Sequence, residues 1–194
     1  MKKPVIMWDL DDTVWDFNRP FSEFMGGITG TKVEYEDLWS FHFQDIYGLP
    51  EEAMSGHIQH FCHNHHEKIV LYPDSIPGLR SLQGKAHQLS VTARKDKLAD
   101  ITHQHLINSG IADLFAEVRF SNLKSKLDIC KEVGATVAVD DAVHNATELA
   151  AAGIKVYMPR RPWNREIGKN DIPNLTPVSG PQEAALLIQQ RFSL

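Results

Sequence analysis

The chain has 194 residues, 42% of them hydrophobic, with 25 acidic and 20 basic side chains and a formal net charge of −5. That balance excludes a basic nucleic-acid footprint, so no duplex partner is expected, and the length suffices for a buried core without disulfides. Its two cysteines, Cys62 and Cys130, are far apart and fit a reducing compartment. The apolar stretch at the N-terminus is too short for a signal-peptide core or a membrane span. A cytoplasmic, soluble protein with no membrane partner is the expectation; oligomeric state is left open.

The first apolar run, "VIMWDL" (5–10), predicts a buried strand and leads straight into Asp9, Asp11 and Asp12. Three carboxylates so close repel and raise one another's pKa, so a cation, a helix N-terminus or solvent must offset them. From Asn18 to Tyr72 the chain is rich in aromatics and histidines and reads as helices. Met54, Ile58, Phe61, Cys62, His65 and Ile69 share one helical face. An insert of this size is more than a loop, so residues 18–72 are read as a small helical cap and residues 1–17 and 73–194 as the core. His57, His60, His63 and His66 recur at three-residue steps, but no carboxylate or cysteine pattern completes a metal site among them.

Further strands are predicted at 87–93, 136–141 and 154–158, with a weaker one at 116–120. Between them "KDKLADITHQHLINSG", "KSKLDICKEVG" and "AVHNATELAAAG" read as helices ending at Gly110, Gly134 and Gly153. The Pro-, Asn- and Arg-rich stretch from Pro159 to Gly180 reads as surface loop, and Pro181 opens a last helix.

Strands alternating with helices imply an α/β, Rossmann-like parallel sheet covered on both faces. Ligands of such sheets bind beyond the carboxyl ends of the strands. Those ends deliver Asp9, Asp11 and Asp12, then Thr92 and Arg94, then Asp140 and Asp141, with Lys124 and Lys126 at a helix start. A carboxylate cluster of this kind suits Mg²⁺, which takes one or two carboxylates with waters and phosphate oxygens.

"DLDDT", strand-ending Thr92, a helix-start lysine and "VAVDD" together resemble the four motifs of the haloacid dehalogenase superfamily, in order, over residues 5–141. The resemblance implies a Mg²⁺-dependent phosphomonoester hydrolase. Asp9 would be the nucleophile and Asp11 the acid and base. Asp9, the Asp11 main-chain carbonyl and Asp140 would hold the metal, with Asp141 behind them. Thr92, Ala93 and Lys126 would bind phosphate, Lys126 being preferred to Lys124 on spacing. Asp12 departs from the glycine common in that family. The segment from Lys124 to "PWN" is similar to the small cytosolic 5′-nucleotidases acting on deoxynucleotides, which implies a nucleotide as the small phosphate-ester substrate. Arg94, Trp39 and Phe41 are the candidate contacts for its distal part. The alternatives are a phosphatase for another small ester or a phosphoprotein, as the "TVW" likeness to magnesium-dependent phosphatases suggests, and a non-catalytic binding protein.

Overall fold

Alternate residues of the first strand face opposite ways. Ile6 and Trp8 enter one apolar cluster and Met7 enters another, and Val137, Ala138 and Val139 divide the same way. This period of two places a sheet between two helical layers. The computed structural model describes residues 3–167 and 171–194. In chain order it runs β1 (Val5–Trp8), β2 (Trp15–Asp16), α1 (Asn18–Thr29), α2 (Phe43–Tyr47), α3 (Glu51–Asn64), β3 (Val70–Leu71), α4 (Ser75–Ser81) and β4 (His87–Thr92). There follow α5 (Ala99–Asn108), β5 (Val118–Phe120), α6 (Leu127–Val133), β6 (Val137–Val139), α7 (Val143–Ala151), β7 (Lys155–Pro159), β8 (Leu175–Val178) and α8 (Pro181–Phe192).

The main sheet has the order β5-β4-β1-β6-β7-β8, with every pairing parallel. From β1 the chain steps to β4 and β5 on one side, then crosses over to β6, β7 and β8 on the other. The carboxyl end of β1 is therefore the crevice where such sheets bind ligands. Strand β1 stops at Trp8 and β6 at Val139, so the aspartates lie in loops just past the strand ends. The strands are shorter than the apolar runs suggested, because the backbone turns to present carboxylates.

Strands β2 and β3 pair antiparallel, Trp15 opposite Leu71 and Asp16 opposite Val70. They form the stem of the helical insert. Phe17, Phe21, Met25, Phe43, Met54 and Phe61 of that segment belong to the same apolar cluster as Ile6 and Trp8. Helix α3 ends at Asn64, so His65 and Ile69, expected on its apolar face, lie beyond it. The histidines there pack as rings, His60 and His65 against Phe24 and His66 against His105.

Besides β2 and β3, two elements escaped the sequence pattern. Helix α4 contains both Pro77 and Gly78, residues that lower helical propensity. It forms because Gly78 lets α8 approach: a Cβ there would lie 2.7 Å from the Pro181 carbonyl oxygen. The stretch 159–180 is not simply surface loop. Leu175–Val178 adds the sheet's outermost strand, an edge position that tolerates Pro177. Residues Arg161, Trp163 and Asn164 are buried.

Candidate active site

The loop after β1 closes on itself. The amides of Thr13, Val14 and Trp15 all donate to the Leu10 carbonyl, at 3.3, 2.8 and 2.9 Å. Closing it puts Asp12 at φ 59°, a left-handed conformation free of strain for glycine and tolerated by a short polar side chain. The Asp12 carboxylate accepts the Asn18 amide at 3.0 Å, the first of α1, which satisfies a helix-end donor and favours the dipole. Its carbonyl accepts Arg161 Nε at 2.7 Å. Asp12 thus joins loop, insert and tail; burial, then Asp141, raises its pKa well above the carboxylate range.

Lys126, 1% exposed, lies between two carboxylates, with Nζ 2.6 Å from Asp9 Oδ1 and 2.7 Å from Asp140 Oδ2. Burial alone would lower its pKa; Asp140 and Asp9 override this and raise it, so it stays charged. Lys124 instead lines the outer cavity. Asp140 also accepts the Ala142 amide at 3.0 Å, and Asn145 Nδ2 lies 3.3 and 3.4 Å from its two oxygens. Asp141 accepts Thr13 Oγ1–H and Trp163 Nε1–H, both at 3.0 Å, while Asn164 Nδ2 donates to its carbonyl at 2.9 Å. The "PWN" residues therefore brace the acidic loop, a role that sequence reasoning did not assign them.

Asp9, Asp140 and Asp141 each offer an oxygen within 4.8 Å of the others, all buried. Three buried carboxylates face one ammonium, and that excess charge shows in their acidities. Burial raises Asp9 well above the carboxylate range, Lys126 pulls it back, and Asp140 and Asp141 push it up again. Asp141 is pushed up to about 7, by burial first and Asp140 second. Hard oxygen donors with uncompensated charge fit a divalent cation. Asp141, expected behind the metal ligands, offers an oxygen in the same cluster as Asp9 and Asp140, while the Asp11 carboxylate is engaged elsewhere.

Arg94 engages it. Nε and Nη2 donate to Asp11 Oδ2 and Oδ1 at 2.8 and 2.7 Å, and Nη1 donates to Thr102 Oγ1 at 3.1 Å. The guanidinium lies 5.1 Å from the Trp15 ring centroid. Arg94, a candidate for gripping a phosphate or the substrate's distal part, is buried and paired with Asp11 here, since its fork matches a carboxylate. Its amide donates to Thr92 Oγ1 at 3.2 Å, and Thr92 is itself buried beneath the cavity-lining Ala93.

A cavity of about 380 Å³ opens over this floor, lined by Asp9, Asp11, Ala93 and Asn145 below and by Phe41, Phe43, Met54 and Ile58 from the insert. Insert and core meet across it: Lys95 Nζ donates to Ser55 Oγ at 3.1 Å, and the rings of Phe41 and His42 contact His144. Phe41, a candidate substrate contact in the sequence, lines the cavity. Trp39 is not among the lining residues; it is 66% exposed because its neighbour Leu38 takes the inward position.

No protein-family model matches the sequence, and no curated protein matches it. Solved structures do match. A haloacid dehalogenase-like protein of unknown function from Agrobacterium tumefaciens aligns with a TM-score of 0.73 at 13% identity, over 98% of this chain and 100% of its own. The fold is that of the haloacid dehalogenases. A family hydrolase from Deinococcus radiodurans, solved with bound phosphate and sodium, aligns with a TM-score of 0.70 at 10% identity, over 99% of this chain and 97% of its own. L-2-haloacid dehalogenase from Xanthobacter autotrophicus aligns with a TM-score of 0.63 at 13% identity, over 97% and 99%. The Deinococcus neighbour is described as a hydrolase and the Xanthobacter one as a dehalogenase. No helix among the described residues is long and apolar enough to cross a membrane.

Proposed function

We propose that this chain is a metal-dependent phosphomonoester hydrolase working through an aspartyl-phosphate on Asp9, with (deoxy)nucleoside monophosphates as the substrate class. The observation that carries the reading is the cavity floor. It presents Asp9, held through one oxygen by Lys126, beside the carboxylate of Asp11. Asp9 Oδ2 attacks phosphorus in line while Asp11 protonates the leaving alkoxide. Water then attacks the aspartyl-phosphate, giving its proton to Asp11 and freeing Asp9. Thr92 and the Ala93 amide hold phosphate oxygens. Lys126 keeps Asp9 oriented and partly neutralised. A divalent ion, Mg²⁺ in this reading, would be held by Asp9, Asp140 and Asp141 with the Asp11 carbonyl, and would supply charge neutralisation for the phosphoryl oxygens.

The helical insert, residues 18–72, serves as the cap over this floor. A cavity of about 380 Å³ lies within the range of small-molecule sites, and its aromatic wall suits a nucleobase. Asp11 favours a phosphatase over a dehalogenase, because a departing halide needs no proton. The test is a panel of phosphate esters with Mg²⁺, assayed with wild type and Asp9→Asn. Nucleotides should be preferred, and both Asp9→Asn and exhaustive chelation should abolish turnover. Undiminished hydrolysis by Asp9→Asn or by metal-stripped enzyme overturns the mechanism. A preference for sugar phosphates or phosphopeptides overturns the substrate class alone.

A further inference from the structure

We infer that Arg94 is the positioning residue for Asp11, a fixed arm that aims the acid–base carboxylate at the leaving-group oxygen. This rests on the reading of Asp11 given above. Arg94 is anchored on the core side by Thr102 of α5 and by the face of Trp15. Its side chain is 5% exposed and that of Asp11 24%. The buried arm is therefore rigid and the carboxylate at its tip reaches the cavity. Two parallel N–H bonds fix the plane of the carboxylate as well as its position, and a misplaced reacting group is costly to rate. Of the three guanidinium nitrogens, two bond Asp11 and the third bonds Thr102. Arg94 is thus committed to Asp11 before any substrate arrives.

The proton balance is that of the ester hydrolysis. As the Asp9–phosphorus bond forms and the ester P–O bond breaks, the proton passes from Asp11 to the departing oxygen. One Asp11 oxygen keeps its bond to Arg94 throughout. When water attacks phosphorus and the Asp9–phosphorus bond breaks, the water proton returns to Asp11. Only the first of these steps depends on the basicity of the leaving group.

The experiment measures kcat/KM with Mg²⁺ for a series of substituted phenyl phosphates, from dinitrophenyl to unsubstituted phenyl, together with a deoxynucleoside monophosphate. General acid catalysis is worth about 10²–10⁴-fold and matters least for a leaving group that departs without a proton. Arg94→Ala should therefore lose about 100-fold on phenyl phosphate and the nucleotide but under about 5-fold on dinitrophenyl phosphate. Arg94→Lys should recover part of the loss. Thr102→Val, which removes only the anchor, should show the same trend at about 5- to 10-fold and keeps the test alive should Arg94→Ala fail to fold. A uniform loss along the series, or a rise in KM alone, overturns the inference. If Asp11→Asn is steeply leaving-group dependent while Arg94→Ala is not, the inference fails and the reading of Asp11 stands. A flat Asp11→Asn profile, or a wild type that hydrolyses no ester, overturns both.

Discussion

Replacing Asp141 by Asn removes one charge from the buried acidic cluster while keeping its shape. The amide oxygen can accept Trp163 Nε1–H, and the amide nitrogen can donate to Thr13 Oγ1 once that hydroxyl rotates. Both side-chain contacts are kept, the Thr13 one with its direction reversed. The wild-type carboxyl is pushed up to about 7 in the fold, from an ordinary 3.8. A folded pKa above the unfolded one means that the stability from Asp141 is fully present below about pH 4 and is lost as pH rises through about 7. Each tenfold difference in proton affinity is worth about 1.4 kcal/mol, so the penalty reaches about 4 kcal/mol by pH 8 and is less than about half of that at pH 5. Asp141→Asn carries neither. Without metal it should gain about 2–3 kcal/mol on wild type between pH 5 and pH 8. Relief of Asp9 and Asp12, both raised in part by Asp141, adds in the same direction. Urea denaturation in chelator at pH 5, 6, 7 and 8 measures the difference. Parallel stability profiles for the two proteins would refute the claim that Asp141 is held in the fold at an energetic cost.

The same buried charge predicts that Mg²⁺ raises the wild-type melting temperature strongly at pH 8 and weakly at pH 5, as protons replace the cation; equal shifts at both pH values would count against the cluster as its site. Asp12→Asn keeps the helix-end acceptor and tolerates a left-handed backbone, whereas Asp12→Ala loses both. Urea denaturation should find the alanine variant about 2 kcal/mol less stable than the asparagine one, combining roughly 1 kcal/mol each for backbone strain and lost cap. Gly78→Ala forces a methyl against the Pro181 carbonyl and should cost about 1–3 kcal/mol in the same assay, with no effect on the leaving-group profile.

The order of strands and helices was legible because local chemistry determines it. "VIMW", "HQLSVT" and "KVYM" are apolar runs that only a sheet covered on both faces can bury. Gly134 and Gly153 stop helices where a positive φ is needed, at 67° and 87°. The convergence of Asp9, Asp11, Thr92 and Asp140 was legible for the same reason, since parallel strands deliver their carboxyl ends to one edge. Helix α4 was not, because Pro77 and Gly78 are poor helix formers whose use appears only when α8 packs on them. Nor was β8, a four-residue strand at the sheet edge with a proline in it.

The division falls most clearly within the three aspartates of the first loop. The sequence by itself determined that they share one rim, which follows from backbone direction alone. Only the tertiary structure decided what each one meets there. Asp9 goes to Lys126, Asp11 to Arg94, and Asp12 to the Asn18 amide and Arg161, partners 6 to 149 residues away. A carboxylate's chemistry depends on which charge and how much water it faces. Those are properties of the neighbours that folding brings in, and spacing along the chain does not carry them.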